Sequence, residues 1–148
     1  MKATTYVATL VFLVTGKMGF AQQPVEFHDA NLKAAVETEL GIMDPTPADI
    51  LSLIDLNARQ SAITNLSGLE FALNLRSLWL GRNHISDIYV LSGLVHLEHL
   101  ELSDNRLDDE DIAALSDLRY LVHLDLTGNA ITDVSIVSEM RFLRTLWL

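Results

Sequence analysis

The chain has no cysteine. That excludes disulfides, a thiolate metal site and a lipid-anchoring cysteine near the N-terminus. Basic residues are scarce as well, with 10 Lys and Arg against 20 Asp and Glu and a formal charge of −10. Such an excess of acid argues against nucleic acid and against an anionic membrane surface, because both carry the same sign of charge. No apolar run reaches the roughly 20 residues that a bilayer-spanning helix needs, so no membrane insertion is expected. Short catalytic signatures are missing too: there is no Gly-x-Ser-x-Gly, no phosphate-cradling glycine loop, no His-Glu-x-x-His and no cysteine nucleophile. The sequence therefore points to a non-enzyme that takes no cofactor.

What is present fits one small exported unit. Of the 148 residues, 49 % are apolar, ample for one core. The first 21 residues read as a secretory signal. Lys2 supplies a positive start, Tyr6 to Val14 is a short apolar run, and Gly19-Phe20-Ala21 puts small residues at the two positions a signal peptidase reads. Cleavage after Ala21 would remove Lys2 and Lys17 and no acid, leaving 8 basic against 20 acidic side chains and a formal charge of −12. The product would be secreted, periplasmic or held at the cell surface.

Residues 22–52 do not share the period that follows and are predicted to form a helical N-terminal cap. Glu26 to Leu40 places Phe27, Leu32, Ala35, Val36 and Leu40 on one helical stripe, with His28 or Asp29 to cap its start and Gly41 to close it. Thr46, Pro47 and Asp49 supply a capping hydroxyl, a proline suited to the first helical position and an acid facing the free amides. This second helix should run to about Ser52. Together the pair would cover the open apolar end of a stacked array.

From residue 53 to 148 one pattern recurs: leucine, two residues, leucine, one residue, leucine, two residues, asparagine, one residue, isoleucine or leucine. The clearest copies are LRSLWLGRNHI, LEHLELSDNRL and LVHLDLTGNAI, at 75–85, 97–107 and 121–131. Repeats start at Leu53, Leu75, Leu97, Leu121 and Leu143, in steps of 22, 22, 24 and 22 residues. Alternation of apolar and polar residues within each unit predicts a short strand with alternate side chains buried. Successive strands should lie side by side as a parallel sheet. Asn83, Asn105 and Asn129 fall in one column, where an amide that both donates and accepts can satisfy backbone groups of the turn. They are read as scaffold, and the first repeat has Ser61 in their place. Return segments space apolar residues by threes (Ile85, Ile88, Leu91, Leu94), as a 3₁₀-like convex side requires. The longer third repeat instead reads as an α-helix over Ile112 to Leu115, capped by Asp108 or Asp109. Its four consecutive acids lack the alternating spacing and distal glutamate of a calcium loop.

The 22-residue unit, with its Ile-Ser-Asp-Ile (85–88) and Ile-Thr-Asp-Val (131–134) continuations, resembles the repeats of bacterial internalins. A similar repeat occurs in a eukaryotic protein phosphatase 1 regulatory subunit. The FHDANLKAAVETELG opening and the ITNLSGLEFALNL segment (63–75) are similar to the N-terminal caps of exported bacterial leucine-rich repeat proteins. Lack of cysteine-bridged caps also favours a bacterial source over an animal or plant one. The resemblance covers about 27–148. It implies an α/β fold: a right-handed leucine-rich repeat solenoid, with a parallel concave sheet that binds a partner protein. Carbohydrate or cell-surface glycan binding by the same face is the runner-up. An intracellular phosphatase-regulator-like scaffold follows only if the signal segment is not one.

Residues flanking the buried leucines should line the concave face. One column holds Asp55, Ser77, His99, His123 and Thr145, and the next Asn57, Trp79, Glu101, Asp125 and Trp147. Arg59, Gly81, Ser103 and Thr127 follow, then Gln60, Arg82, Asp104 and Gly128. Candidate partner-binding residues are Asp55, Asn57, Arg59, Trp79, Arg82, His99, Glu101, His123, Asp125 and Trp147. Trp79 leads them, because a rigid indole covers a large area at little entropic cost. His99, Glu101, His123 and Asp125 share two columns in adjacent repeats, so they could reach one zinc or similar ion. A metal-free face in which each acid hydrogen-bonds a neighbouring histidine is preferred, since the side chains stand parallel. Such pairing would make partner binding sensitive to mild acid. The fifth repeat reaches its third leucine at Leu148, and an open edge there would call for further sequence or self-association.

Overall fold

A computed structural model describes residues 23–148; the expected signal segment, 1–21, lies outside the described residues. Helix α1 spans Ala30–Leu40 and α2 spans Pro47–Ile50. Five strands of three residues follow: β1 Asp55–Asn57, β2 Ser77–Trp79, β3 His99–Glu101, β4 His123–Asp125 and β5 Thr145–Trp147. They form one parallel sheet in sequence order, and every strand pairs with the next in the register that aligns Leu56, Leu78, Leu100, Leu124 and Leu146. Short 3₁₀ segments return the chain on the far side, at Leu69–Phe71, Tyr89–Gly93, Asp111–Asp117 and Ser135–Glu139. The repeat period thus becomes one coil per repeat.

Why the leucines fall inside is plain in the second repeat. Leu75, Leu78, Leu80, Ile85, Ile88, Leu91 and Leu94 are all fully buried, and they join the leucines of neighbouring coils in one continuous cluster. Removing one of these side chains would cost about 2–5 kcal/mol. In the fifth repeat Leu143 and Leu146 are only half-buried, although they occupy the columns of Leu121 and Leu124.

A second force acts at right angles to the hydrophobic one. Asn83 is buried, and its Oδ1 accepts from the amides of Ser61 (3.0 Å) and Ile63 (3.0 Å) in the preceding repeat. Its Nδ2 donates to the carbonyl of Leu80 at 2.7 Å in its own repeat and to that of Ala58 at 2.9 Å in the preceding one. Asn105 repeats the arrangement with Ile85, Leu102 and Leu80, and Asn129 with Leu107, Leu126 and Leu102. Each amide therefore ties a repeat to the one before it. Ser61 stands at the first position of the column, with no preceding repeat to reach, and its hydroxyl donates instead to Arg59 O. The turn that carries the asparagines is left-handed at the residue before them: Gln60, Arg82, Asp104 and Gly128 all have φ between 51° and 73°.

Two local expectations need correction. The first helix begins at Ala30 with Asp29, one of the two expected residues, as its cap, so the stripe from Glu26 to Leu40 is helical only from Ala30. Phe27 lies outside the helix and packs on Gly68, where a side chain would collide with its ring. The α-helix expected in the third repeat is a 3₁₀ segment, the longest of the four. Its buried residues Ile112, Leu115 and Leu118 recur every third position, which matches three residues per turn and the columns beneath. The N-cap position is Glu110, which makes no side-chain cap bond, while Asp108 Oδ1 accepts from the amides of Glu110 and Asp111 where the segment begins. Asp109 reaches the next repeat, accepting from Thr132 N (2.7 Å), Thr132 Oγ1 (2.6 Å) and Asp133 N (3.0 Å).

Asp29 fastens α1 to the repeats in the same manner. Oδ1 accepts from the amides of Asn31 and Leu32, and Oδ2 accepts from the amide (2.8 Å) and hydroxyl (3.0 Å) of Thr64. Burial pushes its carboxyl up, but these hydrogen bonds outweigh it and hold the group below the ordinary carboxylate value. A depressed folded-state pKa contributes stability that is present above about pH 4 and is lost as pH falls through the folded value. Asp29→Ala should lower stability by about 1–3 kcal/mol near neutral pH, the loss of a cap plus a tertiary tether. Urea unfolding at pH 6 and pH 3 should also show a smaller acid-induced drop for the variant than for the parent. Equal drops would exclude this role.

Candidate protein-binding face

Alternation along each three-residue strand sends the central leucine inward and its two neighbours to the concave surface, giving the face its columns. The candidate residues separate into groups there. Asp55 and Asn57 are exposed on β1. Arg82 forms an exposed ion pair with Asp104 at 3.5 Å. Asp125 bonds within its own strand end, and the other six candidates fall into two clusters.

The first cluster gathers Arg59, Trp79 and Glu101 from three successive repeats. Arg59 Nε donates to Glu101 Oε2 at 2.6 Å, and the guanidinium carbon lies 5.8 Å from the centre of the half-buried Trp79 ring. Glu101 also accepts from the Gly81 amide at 3.2 Å and from the Ser103 hydroxyl. A carboxylate anchored by these two donors holds the arginine in place, and the arginine in turn steadies the indole. Gly81 is what makes room. A Cβ at that position would overlap the Glu101 carboxylate, and the neighbouring Ser103 hydroxyl is also too close to admit one. Gly81 and Ser103 were not among the candidate contact residues, yet the cluster depends on both. The available signal was a glycine interrupting the column of Arg59, Ser103 and Thr127.

The second cluster is a row of stacked rings. His99 and His123, paired across β3 and β4, lie 4.7 Å apart at 16°. Trp147 continues the row, 6.4 Å from His123 at 21°, and remains about half exposed. His123 Nδ1 is 3.0 Å from Thr145 Oγ1.

This geometry overturns the expectation that each acid bonds a histidine. Glu101 turns towards Arg59, and Asp125 Oδ1 accepts from the Thr127 amide at 3.0 Å. The physical reason is that residues two apart on a strand are about 6.6 Å apart and parallel, while guanidinium and backbone donors lie closer. With it goes the stated ground for acid sensitivity. The same geometry parts the four side chains of the zinc candidate: His99 and His123 stack on each other, Glu101 turns to Arg59 and Asp125 to the Thr127 amide.

Comparison with known proteins agrees with the coil and its columns. Leucine-rich repeat families match residues 73–120 (two copies) and 117–138. A search of the curated proteins finds no match. Among solved structures, an internalin (InlF) of Listeria monocytogenes superposes with a TM-score of 0.80 at 29 % identity, covering 88 % of this chain and 40 % of that one. An internalin C2 of the same species gives 0.79 at 31 % identity, covering 89 % of this chain and 61 % of that one. The functional domain of InlJ from Listeria monocytogenes, described as including a cysteine ladder, gives 0.72 at 25 % over 81 % of this chain and 26 % of that one. The chain is thus a leucine-rich repeat protein. Within that class it is internalin-like and of bacterial type, and it spans less than two thirds of the length of each of these relatives.

Gly81→Ala should displace the Glu101 carboxylate, release Arg59 and shift the emission of Trp79. Gly93→Ala is the control, because a Cβ there meets nothing within 4 Å and its backbone is not left-handed. Fluorescence spectra of the two folded variants check this, and identical spectra would contradict the anchoring scheme.

Proposed function

We propose that the chain is an exported, non-catalytic module that recognises a partner protein with the concave face of its solenoid. The single observation that carries the reading is Trp79, fixed between strands by Arg59 and Glu101 on an open face. Tryptophan and arginine are the residue types that dominate interface energetics, and an anchor already held in one geometry loses little entropy on binding. The ring row of His99, His123 and Trp147 extends the same surface by a further two repeats. Asp55, Asn57, Arg82 and Asp125 surround these groups and supply the polar rim that protein interfaces carry. An internalin-like fold is the architecture of a protein-binding module, which supports the same conclusion. Export rests on the signal character of residues 1–21 and on the acidic, cysteine-free composition.

The test is affinity capture with the immobilised chain, followed by titration of the partner it isolates. Trp79→Ala should weaken that partner by 30-fold or more, equivalent to about 2 kcal/mol for a central anchor. Unchanged affinity in both Trp79→Ala and His123→Ala would remove the concave face from the reading.

A further inference from the structure

The edge where the chain turns into each strand carries a surface that the concave columns do not include. Its turns are Leu73-Asn74, Val95-His96, Arg119-Tyr120 and Arg141-Phe142, one above another. Tyr120 and Phe142 are more than half exposed, and their rings stack at 5.8 Å and 12°. Beside them, at the position just before each strand, stand Arg76, Glu98, Val122 and Arg144. A groove of about 400 Å³ runs between the two rows, lined by Arg76, His96, Glu98, Tyr120, Val122 and Phe142. This volume lies in the range of small-molecule sites.

Charge sets the groove apart from the rest of the protein. Arg76, Arg119, Arg141 and Arg144 all lie at this edge, four of the ten basic residues in a chain that carries 20 acids. Arg76 pairs with Glu98, while Arg119, Arg141 and Arg144 form no ion pair among the described residues. Glu98 is the acid inside the groove, and the acids next in sequence to Arg119 and Arg141, namely Asp117 and Glu139, end the 3₁₀ segments behind the turns. The groove itself holds Arg76, paired with Glu98, while Arg119 and Arg141 directly precede the two aromatic residues in the chain and Arg144 occupies the column of Arg76 and Val122.

We propose that this groove is a second binding site, separate from the concave face, for an anionic saccharide carrying a carboxylate. The parallel rings offer apolar faces for the C–H side of a sugar ring, and Glu98 and His96 can accept or donate to its hydroxyls. Arginine binds a carboxylate through two parallel hydrogen bonds between opposite charges, and a neutral sugar lacks that charge. The small volume argues for a mono- or disaccharide unit and against a folded protein, whose interface would need about 800 Å² on this side.

The full chain is titrated calorimetrically with a disaccharide carrying one uronic acid, with its carboxyl-reduced neutral counterpart and with a short peptide of Glu, Asp and Tyr. The acidic disaccharide should bind, the neutral one at least about tenfold more weakly, and Tyr120→Ala should lose about tenfold while Trp79→Ala loses nothing. Arg141→Gln with Arg144→Gln, both at exposed positions, should give the same loss and covers the case in which Tyr120→Ala does not fold. Absence of binding to the acidic disaccharide overturns the proposal. So does binding that Trp79→Ala abolishes and Tyr120→Ala spares, or a Tyr120-dependent preference for the peptide.

Discussion

An asparagine side chain that bonds two successive coils at once is the interaction on which this structure depends. Leucine burial alone is non-directional and would tolerate slippage of one coil against the next. The amides of Asn83, Asn105 and Asn129 remove that freedom, because each accepts from an amide of the preceding repeat and donates to a carbonyl in both. Leaving such groups buried without a partner would cost about 1–3 kcal/mol each. The left-handed turn at Gln60, Arg82, Asp104 and Gly128 aims the side chain inward, so a strained backbone and a satisfied interior come as one device.

Once the interior is fixed in this way, little of it is left to carry function. Surfaces must do so, and the coil creates them by stacking equivalent positions in register. On the concave side the stacking brings Arg59, Trp79 and Glu101 together from positions up to 42 residues apart in the chain. On the leading edge it brings Tyr120 onto Phe142 in the same way. Asp29 and Asp109 are the acidic counterparts of the asparagines, spending charge on backbone amides and a threonine hydroxyl of the adjoining unit.

The coil, its strands, the asparagine column and the composition of the concave face were all legible in the sequence, because a period of 22 residues converts directly into register. Side-chain direction was not. Glu101 and His99 share a strand and a face, and the alignment alone suggested that they bond. Only the space left by Gly81 and the reach of Arg59 show that the carboxylate turns the other way. The third repeat misled for a related reason: acids followed by Ile112, Ala113, Ala114 and Leu115 satisfy local helix rules, while the stacked core demands a spacing of three. Tyr120 and Phe142 lie just ahead of the first leucine of their repeats, outside the columns between the leucines that form the concave face. Their signal was a column running Asn74, His96, Tyr120, Phe142.

Native-state hydrogen exchange tests the central claim most directly. The amides of Ile63, Ile85 and Leu107 have only an asparagine Oδ1 of the next repeat as acceptor. If the asparagine column locks the coils, these three amides exchange as slowly as those of the strand leucines, and Asn83→Ala accelerates Ile63 first. Fast exchange at all three in the parent protein, with the strand amides still protected, would contradict the account.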